Sequence, residues 1–207
     1  MANDDYARGL FPINWPKTPV HFYRVQTAND IFLGQPVDLD STGFVTNALI
    51  ATSNGQQEYL GVAVGFAGPL KKGLATDDPY LDASDLTTLA TGLETGDRWV
   101  LVADDPVQEF ILQADTGGTL ATLAAVGEAG NLIYRTGGSG NTTSGWANLE
   151  FDASSNAAGT NNCVQLLKLH DVVNLDGTEN TAGANYTKWV VKFLNHRKVG
   201  ITVSTAV

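Results

Sequence analysis

From Val20 onward the chain is written in short runs of β-branched and aromatic residues, each cut off by turn chemistry while still only strand length. The pattern predicts strands over 20–26, 30–39, 43–50, 57–66, 97–103, 107–113, 131–135, 146–151, 163–173 and 186–194. Three turns are written explicitly: Asp40 with Gly43, Asn54-Gly55, and Asp176-Gly177, each pairing a residue that bonds its own backbone with one that accepts a positive φ. Helix is scarce. "TDDPYLDASDLTTLATG", with Asp77 or Asp78 as cap and Pro79 at the first helical position, and "GTLATLAAVGEAG" each have room for a turn or two. The expected fold is all-β, a β-sandwich or barrel-like domain with short helical turns in a central insert.

Length and composition agree. A chain of 207 residues, 43% hydrophobic, suits one main core. The charged fraction is only 16% and there are 22 glycines, a turn-rich composition with a surface suited to packing against neighbours. Residues 20–207 are read as a single β-rich domain whose middle, about 67–130, is elaborated. Residues 1–19 are read as an extended N-terminal arm, because Pro12, Pro16 and Pro19 remove backbone donors and favour extended geometry. Along it Phe11, Ile13 and Trp15 alternate, a row of apolar anchors for the chain's own domain or a neighbouring subunit.

"DLDSTG" places Asp38, Asp40, Thr42 and Gly43 at the first positions of a calcium loop, but Leu49 stands where the bidentate glutamate belongs, so a hairpin turn is expected. Asp77-Asp78 and Asp104-Asp105 are expected in caps and turns. "GGSGN" ends in Asn141 where a nucleophile elbow needs glycine, and "GPLKKGLA" orders its residues wrongly for a phosphate loop. His21, His170 and His196 stand apart with no metal-pair spacing, and Cys163 is the single cysteine, expected in the core. No catalytic residue, metal site or cofactor is predicted, and the chain is read as a non-enzyme. Trp146, beside a glycine-rich loop, is the tryptophan expected to be exposed, which keeps a carbohydrate-binding β module open as an alternative.

Charge is distributed unevenly. Residues 180–207 contain no acid and carry +4 through Lys188, Lys192, Arg197 and Lys198, while residues 1–179 carry −14, giving the net −10. In "YTKWVVKFLNHRKVG" strand alternation puts Trp189, Val191 and Phe193 on one face and Lys188 and Lys192 on the other. Two expectations follow: a solvated edge strand whose lysines discourage aggregation, or a basic face that meets an acidic face of a neighbouring protein. The acidic balance argues against nucleic acid as a partner, and no segment has the apolar length to span a membrane. The acidic start lacks a signal-peptide pattern, and one cysteine fits synthesis in a reducing cytoplasm.

"IFLGQPVDLDSTGFVTNALIATSNGQQEYLGVAVGF" resembles the small β module of tailed-phage capsid decoration, or cement, proteins. In that module a strand ending in Pro-Val, a Gly turn and a second strand precede a strand of the Leu-Gly-Val-Ala-Val-Gly type. "VQLLKLHDVVNLDGTENTAGANYTKWVVKFLNHR" is similar to the closing part of marine and related phage head proteins. Together these cover about a third of the chain. The resemblance implies a virion protein, made in the host cytoplasm, that binds the major capsid protein on the outer shell surface and self-associates, with a homotrimer favoured. A tail, fibre or head-completion component is the alternative within the virion. The contact residues expected on this reading are Phe11, Ile13, Trp15, Trp146, Lys188, Lys192, Arg197 and Lys198.

Overall fold

The computed structural model describes residues 5, 7–25, 30–48, 50, 58–67, 80–82, 98–116, 121–135, 138–155, 162–174 and 177–198. The chain is all-β. Its strands are β1 (Phe11–Pro12), β2 (Val20–Val25), β3 (Pro36–Leu39), β4 (Val45–Asn47), β5 (Gly61–Ala67), β6 (Arg98–Ala103), β7 (Phe110–Gln113), β8 (Ala129–Gly130), β9 (Leu132–Tyr134), β10 (Leu149–Phe151), β11 (Val164–Leu169) and β12 (Lys188–Phe193). Two single-turn 3-10 helices, Leu123–Ala125 and Ala153–Ser155, are the helical pieces among the described residues. Each predicted strand window overlaps one of these strands, β5 running one residue past its window, while β1 and β8 lie outside the windows. The Asn54-Gly55 turn and the helical turn capped at Asp77 or Asp78 fall outside the described residues.

The strands form two bodies. β2, β4, β3, β5 and β6 close into a barrel, and β1, β7, β12, β11 and β8 form an antiparallel sheet in that order. A two-stranded ribbon, β9 with β10, accompanies the sheet. Its Leu132, Leu149 and Phe151 share one core with Phe110, Leu112, Leu166, Trp189, Val191 and Phe193, which gives a sandwich-like layering. The barrel core is smaller and mostly aliphatic, with Val25, Ile31, Val37, Val45, Val100 and Val102 fully buried. Both halves of the expectation, barrel and sandwich, are present.

β5, "GVAVGFA", is apolar along its whole length because it serves both cores: Val62 belongs to the sheet core, Ala63 and Phe66 to the barrel core. At the other seam Tyr59 stacks on Phe193 with ring centroids 4.6 Å apart. The Tyr59 amide donates to the Asn195 carbonyl at 3.1 Å, and the Arg197 amide donates to the Tyr59 carbonyl at 2.9 Å.

The arm crosses this junction. Leu10 is fully buried in the sheet core and its amide donates to the Gly34 carbonyl at 2.9 Å. Phe11 and Pro12 pair with Ile111 and Phe110, so the arm supplies the edge strand of the sheet. Extended geometry stops at Pro12: the Trp15 amide donates back to the Pro12 carbonyl and the Lys17 amide to the Asn14 carbonyl. The expected row of three anchors is therefore folded into a turn, with Phe11 and Ile13 half-buried and Trp15 exposed.

Gly9 (φ 66°) and Gly34 (φ 80°) meet where the arm passes over the barrel. A Cβ on Gly34 would overlap the Arg8 carbonyl oxygen, so glycine is needed both for conformation and for space. Gly34→Ala should lower stability by about 3 kcal/mol, read as a reduced chemical-denaturation midpoint with the slope unchanged.

Candidate functional site

Two places gather polar chemistry, and one sheet face gathers charge of a single sign. The first polar place is the rim of the barrel. Asp104 is 1% exposed and receives hydrogen bonds from the Tyr23 hydroxyl, the Lys198 ammonium and the His21 ring, whose Nδ1 lies 2.8 Å from Oδ1. Burial alone would raise the Asp104 pKa, but the bonds from Lys198, Tyr23 and His21 outweigh it and hold the carboxyl below its usual value. Asp105 makes the expected turn: its Oδ1 accepts from the Val107 amide at 3.0 Å, and its carbonyl accepts from the Gln108 amide. Reading the pair as a turn found Asp105 and missed Asp104. The signal was the alternation of β6, in which Val100 and Val102 are buried and Asp104 comes next in the same register.

The second is a cleft of about 460 Å³ beside the ribbon, lined by Asp115, Tyr134, Arg135, Asn148, Glu150 and Tyr186 among others. Arg135 forks onto Asp5 of the arm at 2.6 and 2.7 Å, and its guanidinium carbon lies 5.9 Å from the Tyr186 ring centroid. Buried Glu150 accepts from Gln113 at 2.8 Å, while Arg135 Nε stands 3.7 Å from its other oxygen. Burial raises the Glu150 pKa more than Gln113 and Arg135 lower it. The geometry anchors the arm through an arginine fork. Among the described residues no group of three or more His, Cys, Asp or Glu gathers as a metal site.

The sheet face is generated by the register of β12. This strand lies in the interior of the sheet, between β7 and β11, which corrects the expectation of an edge strand. Trp189, Val191 and Phe193 point into the core as predicted, with their cross-strand partners Leu112, Phe110, Leu166 and Val164. Directly paired residues of an antiparallel sheet share a face. The opposite face therefore carries Lys188 with Gln113, Val190 with Ile111 and Phe11, and Lys192 with Gln165. Lys168 joins them through a break in register between Leu166 and Lys168, which pairs Lys168 with Val190. Strict period-two alternation would have put Lys168 on the core side with Val164 and Leu166, so the sequence pattern alone concealed it.

The predicted contact residues divide. Lys188 and Lys192 lie on this face, and Lys188 Nζ donates to the Asn174 side-chain oxygen at 3.3 Å. Arg197 instead grips Asp38 at 2.8 and 2.9 Å, and Lys198 binds Asp104. Both residues after the strand thus hold the sheet to the barrel. Trp146 is half-buried and packs with the arm: the Phe11 ring is 6.2 Å away and the Arg8 guanidinium 5.6 Å from its centroid. Cys163 is buried in the core as expected.

The fold itself defines the class of this protein: all-β, with a closed barrel and a sandwich-like sheet body. No family model matches the chain, and no curated protein or solved structure matches it. Among the described residues no helix is long and apolar enough to cross a membrane.

The two buried carboxyls titrate with opposite consequences. A folded-state pKa held below its unfolded value stabilises above the unfolded value, and that stability is lost as pH falls through the folded value. Asp104→Asn should therefore cost about 2 kcal/mol at neutral pH, a gap that closes in acid below the ordinary carboxyl value. Glu150, raised by burial, does the reverse: its ionisation opposes folding as pH rises through the folded value. Glu150→Gln should raise the thermal midpoint at neutral pH and leave it unchanged in acid, a pair of outcomes read from melting curves across pH.

Proposed function

We propose that this chain is a structural virion protein that binds the outer surface of a tailed-phage capsid and stabilises it through contacts between neighbouring subunits. The observation that carries this reading is that large apolar side chains are held out into solvent where the arm turns back and on the loop it meets. Val107 is 78% exposed and Trp15 40%. The arm turn and the loop between β6 and β7 line one cleft, and the Ile13 amide donates to the Glu109 carbonyl at 3.2 Å, which ties the two segments together. Leu123 and Val126, at 62% and 44%, are exposed on another loop. Large side chains fixed in solvent by a rigid β scaffold gain free energy when a partner covers them. The resemblance of the 31–66 and 164–197 segments to phage head proteins supports the same reading and supplies the partner: the major capsid protein, with further copies of this chain, a trimer favoured. Repetition by symmetry lets modest contacts sum to a large stabilisation of the shell.

Shells assembled without this protein, mixed with the purified chain and sedimented, should carry it down in many copies per particle. Trp15→Ser combined with Val107→Ser should weaken that binding about tenfold without lowering the thermal midpoint. A chain that stays monomeric and leaves the shells bare would sink the proposal. A few copies per particle would move it to a tail or head-completion part.

A further inference from the structure

We propose that the cleft beside the β9–β10 ribbon is a carbohydrate-binding site, in which Glu150, Asn148 and Thr116 bond sugar hydroxyls and Tyr186 receives the C–H side of the sugar ring. The assignment is independent of the capsid reading and adds a ligand to it.

The ribbon's register builds the floor. Glu150 pairs with Ile133, and the Arg135 amide donates to the Asn148 carbonyl at 2.8 Å. Alternation sets these residues on the face of the ribbon away from Leu132, Leu149 and Phe151, which fill the core. One wall is the end of β7, where the Asp115 amide donates to the Phe151 carbonyl at 2.9 Å and exposed Thr116 follows. The other is the turn into β12, which carries Tyr186. The cleft holds about 460 Å³, within the range of roughly 300–1,000 Å³ usual for small-ligand sites. Its lip is open: Ile133 is 37% exposed, and Asn148 and Tyr186 are half-buried.

Two observations point to a ligand. Glu150 is 3% exposed, yet among the described residues only Gln113 bonds it, at Oε1, while Arg135 Nε stands 3.7 Å from Oε2. Burial keeps its pKa raised in spite of Gln113 and Arg135. A buried carboxylate oxygen without a donor is costly, and a hydroxyl entering the cleft would supply one. The second is Tyr186, at φ 60° the one non-glycine residue with positive φ among the described residues. An aromatic residue is strained there, and its surroundings hold it so. Thr187 Oγ1 lies 2.9 and 2.6 Å from the Thr181 and Ala184 carbonyl oxygens, and the Lys188 amide donates to Asn180 Oδ1 at 3.0 Å. The turn thus sets a tyrosine ring on the cleft wall where glycine would sit without strain.

Charge selects the ligand class. Arg135 is already forked onto Asp5, so an anion would meet Asp115 and Glu150 without a free cation, while a cation would sit against the guanidinium. A neutral ligand fits best. Asn148 and Thr116, whose side chains form no hydrogen bond with a described residue, offer donors and acceptors together. Neighbouring sugar hydroxyls, each donor and acceptor, match that mixed set, and the apolar side of a pyranose matches Tyr186 and Ile133. Trp146, the ring expected from sequence to serve such a ligand, packs on Phe11 and Arg8 instead.

The test places the labelled full chain on an array of neutral, amino and acidic sugars, then titrates each retained sugar into the isotopically labelled chain by NMR. Neutral sugars should be retained and should shift the resonances of Asn148 and Tyr186, not those of Trp146. Asn148→Ala should weaken binding about tenfold with an unchanged melting curve. Tyr186→Gly should weaken it about tenfold while the thermal midpoint holds or rises, because glycine accepts the positive φ. Where Tyr186→Gly melts early, Asn148→Ala decides, since its side chain holds no described residue in place. No neutral sugar retained, tighter binding of acidic or amino sugars, or equal binding by Asn148→Ala would each overturn the assignment. Shell binding by the unaltered protein judges the capsid reading separately. A chain that binds sugar but no shell loses that reading and keeps this site; one that coats shells but binds no sugar loses the site.

Discussion

Burial of one side of β12 organises the rest of the molecule. Trp189, Val191 and Phe193 fill the sheet core, and a strand that commits those positions inward must send Lys188, Val190 and Lys192 to the sheet's other face, where Val190 is also buried. Flanking strands then inherit the choice through pairing: Ile111 and Gln113 on one side, Gln165 and Lys168 on the other. The strand's end carries the effect further. Phe193 stacks on Tyr59, the chain turns, and Arg197 and Lys198 reach Asp38 and Asp104 on the barrel. One hydrophobic alternation thus sets both the lysine-bearing side of the sheet and the ionic clasp between the two bodies.

How much of this was legible in the sequence depends on the range of the interaction concerned. Local patterns were read correctly: the face of β12, the Asp40 turn in which Oδ1 accepts from the amides of Thr42 and Phe44, and the burial of Cys163. These depend on neighbours within a few residues, where alternation and turn chemistry act directly. What escaped is the pairing of distant segments. The interior position of β12 is fixed by β7 and β11, and the role of Asp104 by His21 and Lys198, 83 and 94 positions away. Lys168 escaped for a different reason: one extra residue in a strand reverses every later side chain, and nothing local in "VQLLKL" marks where it sits.

The ionic groups also sort by cost. A charge removed from water is tolerated only with partners close at hand, and Asp104, the most deeply buried of them, has three donors. Glu150 is less well served: one good hydrogen bond and a guanidinium nitrogen at 3.7 Å leave burial dominant. The difference lies in donor count at similar burial. It also separates a carboxylate that clasps the two bodies from one that sits at the foot of a cleft under tension with its surroundings.

That sorting changes what the basic C-terminal segment can do. Seen as a run of four cations it looked like one feature, but its two halves face different demands. Arg197 and Lys198 neutralise barrel carboxylates and contribute no free charge to a partner. Lys188 and Lys192 remain on the sheet, where Lys168 from another strand restores a third cation. A net-acidic chain that sets three lysines on one side of a sheet is electrically polarised across that sheet.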